Sequence, residues 1–356
     1  MHRYGLILAG GRGTRFWPQS RRSRAKQVLT IDGERSMIQA TVDRLAPILP
    51  PDRIWILTNE HLRKEIIRQL PEVPAKQIIA EPEQRNTAPA IGLAAHILKS
   101  IDPDAVMGVF PSDHIIAKPK RYLQMVKAAF AAAEKGKIAV LGIAPRWPET
   151  GYGYVEFPKT SERGSLKPAD VASFREKPDL KTAKNYVKKG NFYWNAGMFF
   201  WRADTVLNSL RSYLPKTFTL LSTLPPFQHK SFAACMTEVF PLCENISIDF
   251  AVLERAKNVV GLACDEIGWN DVGSWNAVYD LLPRDADANV SRSVVHSTNS
   301  SGNYVDAGKK LVALLGVKDL IIVDTPDALL VADRSRAQEV GDIVKALEKQ
   351  NRQDLI

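Results

Sequence analysis

The sequence predicts an α/β fold built on a mostly parallel sheet, followed by a small C-terminal β-rich domain. Three observations predict it. Short apolar runs alternate with helix-period segments through the first part of the chain, the pattern of βαβ units. Glycine- and carboxylate-bearing motifs fall directly after those runs, where open α/β sheets place their ligands. Past Pro283–Asn289, a turn-rich linker, the texture changes to closely spaced β-branched runs.

The elements follow in order. Tyr4–Leu8, Ile54–Leu57, Ile78–Ala80, Val106–Phe110 and Ile138–Leu141 read as buried strands, and Met37–Leu49, Glu60–Leu70, Ala88–Ile101 and Tyr122–Lys135 as the helices between them. From about Gly151 to Leu282 the pattern is mixed. Gly/Tyr turns, a short strand ending at Phe174 and an aromatic-rich stretch around Trp194–Trp201 read as an insertion lining the crevice. The tail holds short runs at Val290–Val295, Leu311–Leu315, Leu320–Val323 and Leu329–Ala332, with turns such as Ser301-Gly302-Asn303 between them. A helix over Gln338–Lys349 completes it. The expected division is residues 1–285 and 286–356, with no strict repeat and no low-complexity segment.

Composition narrows the function. A chain of 356 residues is long enough for one large domain and a smaller one. Its 45% hydrophobic and 24% charged residues are those of an ordinary soluble enzyme. No apolar run reaches the roughly 18 residues of a membrane span, and the chain enters a strand-like run without a leader pattern. The expectation is a cytoplasmic protein with no membrane partner. Three cysteines without a C-x-x-C pair argue against a disulfide framework or a zinc site, and the six histidines show no ligand spacing. The net charge of +9 is concentrated where it matters: Arg12, Arg15, Arg21, Arg22, Arg24 and Lys26 crowd beside a glycine loop. That arrangement suits phosphate, and no nucleic-acid-binding signature accompanies it.

Three motifs carry chemistry. In Leu8-Ala9-Gly10-Gly11-Arg12-Gly13-Thr14-Arg15-Phe16-Trp17-Pro18 a strand ends in a glycine turn whose consecutive N–H groups can form an anion nest. Neither G-x-G-x-x-G nor the P-loop pattern fits, since Phe16 stands at the third glycine and no Gly-Lys-Ser/Thr follows. In Pro111-Ser112-Asp113-His114 an aspartate follows a strand; Mg²⁺ favours such hard carboxylates, although an aspartate standing alone there is more often a helix cap or turn former. In Gly268-Trp269-Asn270-Asp271-Val272-Gly273-Ser274-Trp275 a second carboxylate stands between glycines and tryptophans, and only the fold could bring it to Asp113. Two clusters add polar groups: Phe174-Arg175-Glu176-Lys177-Pro178, and Trp194-Asn195-Ala196-Gly197-Met198. Glu176–Lys177 alone also reads as a surface ion pair, the more common fate of adjacent charges.

Taken together in this order, these motifs resemble the sugar nucleotidyltransferase family, and within it the guanylyl-specific branch that acts on mannose 1-phosphate. Leu8 to Gln27 is similar to the signature G-G-x-G-x-R-L-W-P-x-S-R…P-K-Q. Glu81-Pro82 with Arg85-Asn86-Thr87-Ala88-Pro89 resembles the segment that faces the base. Gly151-Tyr152-Gly153-Tyr154 and Ser247-Ile248-Asp249 fit later motifs. Two departures stand out: Phe16 replaces leucine, and Ala25 replaces the proline before Lys26, which loosens the backbone holding that lysine.

The resemblance implies a Rossmann-like, GT-A-like catalytic domain, a β-helix-like tail with dimer contacts, and a homodimer. It implies transfer of GMP from GTP to mannose 1-phosphate, giving GDP-mannose and pyrophosphate, with Mg²⁺ as cofactor. Nucleotide contacts would come from Leu8, Ala9, Gly10, Gly11, Arg12, Gly13, Thr14, Arg15, Lys26, Glu81, Asn86, Thr87, Ala88, Pro111, Ser112 and Asp113. Sugar-phosphate contacts would come from Gly153, Glu176, Lys177, Asn195 and Asp271. Asp113 and Asp271 would hold the metal, and Arg15, Lys26, Asp113, Lys177 and Asp271 would carry catalysis. A different sugar 1-phosphate, such as a manno-heptose 1-phosphate, is the alternative acceptor. A non-catalytic regulatory paralogue could dispense with the metal carboxylates and triphosphate cations, all of which this chain retains.

Overall fold

The computed structural model describes residues 2–356. The parallel half of the sheet forms as the alternation predicts. β1 (Arg3–Leu8), α1 (Met37–Leu45), β2 (Ile54–Asn59), α2 (Glu60–Gln69), β3 (Ile78–Glu81), α3 (Thr87–Ile101) and β4 (Val106–Pro111) follow one another, with β1 parallel to both β2 and β4 and β2 parallel to β3. Helix α1 opens on a capping box of Ser36 and Gln39. It ends at Leu45 rather than Leu49, because Pro47 has no N–H to continue the ladder. A two-residue strand β5 (Ile115–Ile116) precedes α4 (Pro119–Ala133), which starts earlier than expected on a proline suited to the first helical turn.

The second half of the sheet departs from the sequence reading. After β6 (Ile138–Ile143), β7 (Tyr154–Glu156), β8 (Ala169–Asp170), β9 (Ser173–Arg175) and α5 (Leu180–Lys189) comes β10 (Phe192–Arg202). This aromatic stretch, expected as part of an insertion, is an 11-residue central strand lying antiparallel between β4 and β6. Trp194, Phe200 and Trp201 are wholly buried in it. Three helices, α6 (Ala203–Tyr213), α7 (Pro215–Ser222) and α8 (Phe232–Val239), lead to β11 (Val259–Cys264), which is parallel to β6. The sheet order is β3-β2-β1-β4-β10-β6-β11-β8. A strand buried on both faces carries no alternation and so gives no period-two signal.

β12 (Trp269–Asn270) pairs with β5, and α9 (Trp275–Leu281) leads into the tail. There β13 (Val290–Ser291), β14 (Val294–Thr298), β15 (Tyr304–Asp306), β16 (Leu311–Leu315) and β17 (Leu320–Asp324) stack in parallel as β13-β15-β17 and β14-β16, with β18 (Leu329–Asp333) antiparallel to β17. The run expected as Val290–Val295 breaks at Arg292-Ser293 and turns a corner between two faces. An asparagine ladder joins the coils: Asn303 N–H and Nδ2–H donate to Asn289 Oδ1 at 3.0 and 2.9 Å, and Leu320 N–H donates to Asn303 Oδ1 at 2.9 Å. Helix α10 (Val340–Lys349) then folds back onto the N-terminal loop. Phe16, Trp17 and Trp275 share one core with Tyr304, Ile321, Val340 and Val344.

Candidate active site

The glycine loop, the end of β4 and the Asp271 segment meet at one crevice beyond the carboxyl ends of the strands, as expected for this kind of sheet. Lys26 is its centre. Its side chain is 6% exposed, and its Nζ donates to Asp113 Oδ2 at 2.8 Å and to the Asp271 carbonyl at 2.7 Å. One ammonium thus gathers two segments far apart in sequence. Burial pulls the Asp113 carboxyl upward, but Lys26 and His114 outweigh it, and the group stays ionised below its usual range. Gly13 makes room for this lysine. It adopts φ +61°, and a Cβ there would lie 2.6 Å from Lys26 Cβ and 2.9 Å from Lys26 N.

Gly13, Thr14, Arg15, Lys26, Asp113 and Asp271 line one cleft of about 250 Å³. Asp271 accepts a hydrogen bond at Oδ1 from the Tyr152 hydroxyl, 2.6 Å, while its Oδ2 accepts none from the described residues. No cluster of three or more metal-ligating side chains occurs among the described residues. Two carboxylates nonetheless match the habit of Mg²⁺, which takes one or two and completes its shell with phosphate and water.

A pocket of about 420 Å³ adjoins the loop, lined by Leu8, Gly10, Gly11, Glu81, Asn86 and Thr87, all expected from the sequence, and by Leu57, Gln84, Ala90 and Asn245, which were not. Glu81 is the last residue of β3 and is 9% exposed, with no hydrogen bond or ion pair from the described residues. Burial pushes its carboxyl up to about 8. Asn86 caps α3 with φ 64° and ψ −172°, a conformation that costs a non-glycine residue, and its Oδ1 accepts from Thr87 N–H at 2.9 Å.

Gly153, Glu176 and Asn195 also converge. A Cβ on Gly153 would collide with Glu176 Oε2 and press on Asn195 Cβ. Asn195 is still paired with Gly142 of β6, and the register of β10 shifts just after it, between Asn195 and Phe199. Its Nδ2 donates to Asp249 Oδ1 at 3.0 Å and its Oδ1 accepts from Gly197 N–H at 3.0 Å. Burial raises the Glu176 carboxyl; burial and the neighbouring Glu176 push Asp249 up to about 7. Lys177 is exposed with φ 47° and faces a polar cleft of about 780 Å³ that also holds Arg15, Arg146, Tyr152, Asp271 and Gln338.

Some expected residues have partners of their own within the fold. The Ala9 N–H donates to Leu57 O and its carbonyl accepts from Gln27 and Thr58, so its backbone is already committed. Ala88 is fully buried, with its N–H on Ile246 O, and Ser112 is buried with its N–H on Leu8 O. Pro111 ends β4 beside Leu8. Arg12 pairs with Glu348 of α10, and Arg15 Nη1 donates to Gly273 O and to Gln338 Oε1, each at 2.9 Å. Gln338, Arg146 and Asn245 gave no signal in sequence because each is an ordinary polar residue made relevant by a distant neighbour. Asp249 and Tyr152 lie inside recognisable motifs, but the motifs alone gave them no role.

The protein-family model described as nucleotidyl transferase matches residues 4–288, and one described as a MannoseP isomerase/GMP-like beta-helix domain matches residues 294–347. The mannose-1-phosphate guanylyltransferase of Salmonella muenchen is 38% identical over 98% of this chain and 74% of its own length. That of Escherichia coli K12 is 38% identical over 99% and 74%. A crystal structure from Thermus thermophilus, described as a mannose-1-phosphate geranyltransferase, superposes with a TM-score of 0.85 at 31% identity, covering 98% of this chain and all of that one. With relatives of this identity along nearly its whole length and a family match over most of it, the chain belongs to the nucleotidyl transferase family and is an enzyme of the mannose-1-phosphate guanylyltransferase group.

Proposed function

We propose that this enzyme transfers GMP from GTP to mannose 1-phosphate with the help of Mg²⁺. The observation that carries the proposal is the Glu81 carboxyl, unpaired among the described residues, beside the glycine loop and next to the crevice where Lys26, Asp113 and Asp271 meet. A carboxylate accepts from the two adjacent N–H groups on the guanine edge, and adenine has no such pair. A site built to hydrogen-bond one base discriminates strongly against another.

The sugar phosphate is already an anionic nucleophile, so no general base is required. Its oxygen bonds to the α-phosphorus as the bond to the pyrophosphate oxygen breaks. Catalysis is then alignment and charge. Gly10, Gly11 and Gly13 offer backbone donors, and Arg15 and Lys26 neutralise the departing pyrophosphate. Asp113 and Asp271 would hold Mg²⁺, which supplies positive charge at the reacting phosphate. Lys177 steadies the acceptor phosphate, while Glu176, Asn195 and the Gly153 backbone read sugar hydroxyls. The relatives' names support this substrate pair. A homodimer is part of the proposal: Val294, Leu311 and Leu315 project from the tail's β14–β16 face with exposures of 65%, 66% and 76%. An exposed apolar patch of that kind calls for a partner.

The test is pyrophosphate release with Mg²⁺ for GTP, ATP, UTP and CTP, each with mannose 1-phosphate or glucose 1-phosphate. Release confined to GTP with mannose 1-phosphate and abolished by EDTA is expected. Release with another pair would replace the substrates and keep the chemistry.

A further inference from the structure

The Asp271 carboxylate is fixed by a residue that also reaches the acceptor side. Tyr152 has three attachments. Its hydroxyl donates to Asp271 Oδ1 at 2.6 Å. Its ring meets Trp194 and Trp269 nearly edge-on, with centroids at 5.3 and 5.4 Å. Its carbonyl accepts from Lys177 N–H at 3.2 Å. Trp269 continues the chain of contacts: its Nε1–H donates to His114 Nδ1 at 3.2 Å, and His114 adjoins Asp113. The β5–β12 ladder, pairing Ile115 with Asn270 and Ile116 with Trp269, locks the same two segments. A continuous frame therefore runs from Asp113 through His114, Trp269 and Tyr152 to both Asp271 and Lys177.

The physical consequence concerns which carboxylate oxygen is available. An aspartate free to rotate presents either oxygen in many directions. With Oδ1 held by a hydroxyl on a wedged ring, Oδ2 keeps one orientation, and it has no hydrogen-bond partner among the described residues. Hydrogen bonds of this kind on a metal-ligating carboxylate govern metal affinity or activity by about 10–100-fold.

We propose that Tyr152 is a positioning residue, holding the Asp271 carboxylate in the orientation that receives the divalent cation and tying it to the Lys177 backbone. The inference rests on the Mg²⁺ reading of Asp113 and Asp271 given above.

The test uses the full-length protein and Mn²⁺ as a probe, with binding followed by electron paramagnetic resonance beside a non-hydrolysable GTP analogue. Tyr152→Phe keeps the ring and removes only the hydroxyl. Expected are Mn²⁺ binding weakened about 10-fold or more, a higher half-saturating Mg²⁺ in turnover, and an unchanged melting temperature. The KM for the sugar phosphate should stay near wild type, because the Lys177 contact is to the backbone. Wild-type Mn²⁺ affinity in Tyr152→Phe, with affinity lost in Asp271→Asn, would overturn the proposal and leave the metal assignment standing. Wild-type affinity in Asp271→Asn as well would overturn the metal assignment and the proposal together.

Discussion

Glu81 has a carboxyl group whose pKa burial pushes up to about 8, with no cation among the described residues pairing with it. Its two effects have opposite signs. Reading guanine needs the ionised form, so the KM for GTP should rise as pH falls below about 8, and Glu81→Gln should flatten that dependence and lose the preference for GTP over ATP. Stability runs the other way. The folded value lies above the ordinary 4.5, so the fold binds the proton more tightly, and stability is lost as pH rises from 4.5 through about 8. Glu81→Gln should therefore melt higher than wild type at pH 8.5 and gain little at pH 5. A wild-type KM for GTP that is flat between pH 6 and 9 would remove Glu81 from base recognition. In the proposed mechanism Lys26 and Asp113 carry charge at the reacting phosphates, and removing one such electrostatic element costs about 10²–10³ in kcat. Lys26→Ala and Asp113→Ala should each fall by that order in steady-state assays while keeping native circular dichroism; near-normal kcat at saturating substrate would reassign them.

Among the elements, the loop after β1 is the one most tightly specified. Gly13 sits in the left-handed region with Lys26 against the position a Cβ would occupy. Gly13→Ala should cost about 1–2 kcal/mol from backbone conformation alone, and more from displacing the lysine. Urea unfolding would show that loss, and turnover should fall further than stability, because Lys26 moves away from Asp113. Ala25, where the resemblance leads one to expect proline, keeps an extended φ of −70° and ψ of 167°. That φ lies within the range a proline ring imposes, so the backbone shape before Lys26 is preserved without the ring. Strand β10 divides its residues differently: the Asn195 side chain reaches Asp249 while Trp194 and Phe199 to Trp201 remain in the core, and the register shifts just after Asn195.

At the scale of the whole molecule, the tail is part of the active site's scaffold. Trp17 Nε1–H donates to Leu355 O at 2.8 Å, Trp275 Nε1–H to Trp17 O at 3.1 Å, and Arg21 and Gln19 reach Asp327 and Asp306. Trp275 is fully buried between Phe16, at 5.0 Å, and Tyr304, at 5.5 Å. Trp275→Ala should cost about 3–5 kcal/mol and, if the glycine loop binds the triphosphate as proposed, raise the KM for nucleotide, since Phe16 of that loop packs on the ring. Chemical denaturation followed by tryptophan fluorescence should show one transition for loop and tail in the wild type. Two separate transitions would mean that the tail is independent of the loop.

How much of this was legible beforehand depended on whether the signal was local. The parallel strands, their helices and the glycine loop could be read because apolar period and turn chemistry are encoded within ten or so neighbouring residues. The residues of Glu81 to Ala88 and the two aspartates could be named because motif order resembled a family. The antiparallel placement of β10 could not be read, since its partners β4 and β6 are chosen by sheet-wide burial. Nor could Gln338 on Arg15, Glu348 on Arg12 or Tyr152 on Asp271, pairs separated by 323, 336 and 119 residues. By itself the sequence determined the strand–loop chemistry and the set of charged groups offered to a phosphate. Tertiary structure alone decided which groups meet and how each is held, because those contacts depend on the closure of long loops and on burial, which no local segment contains.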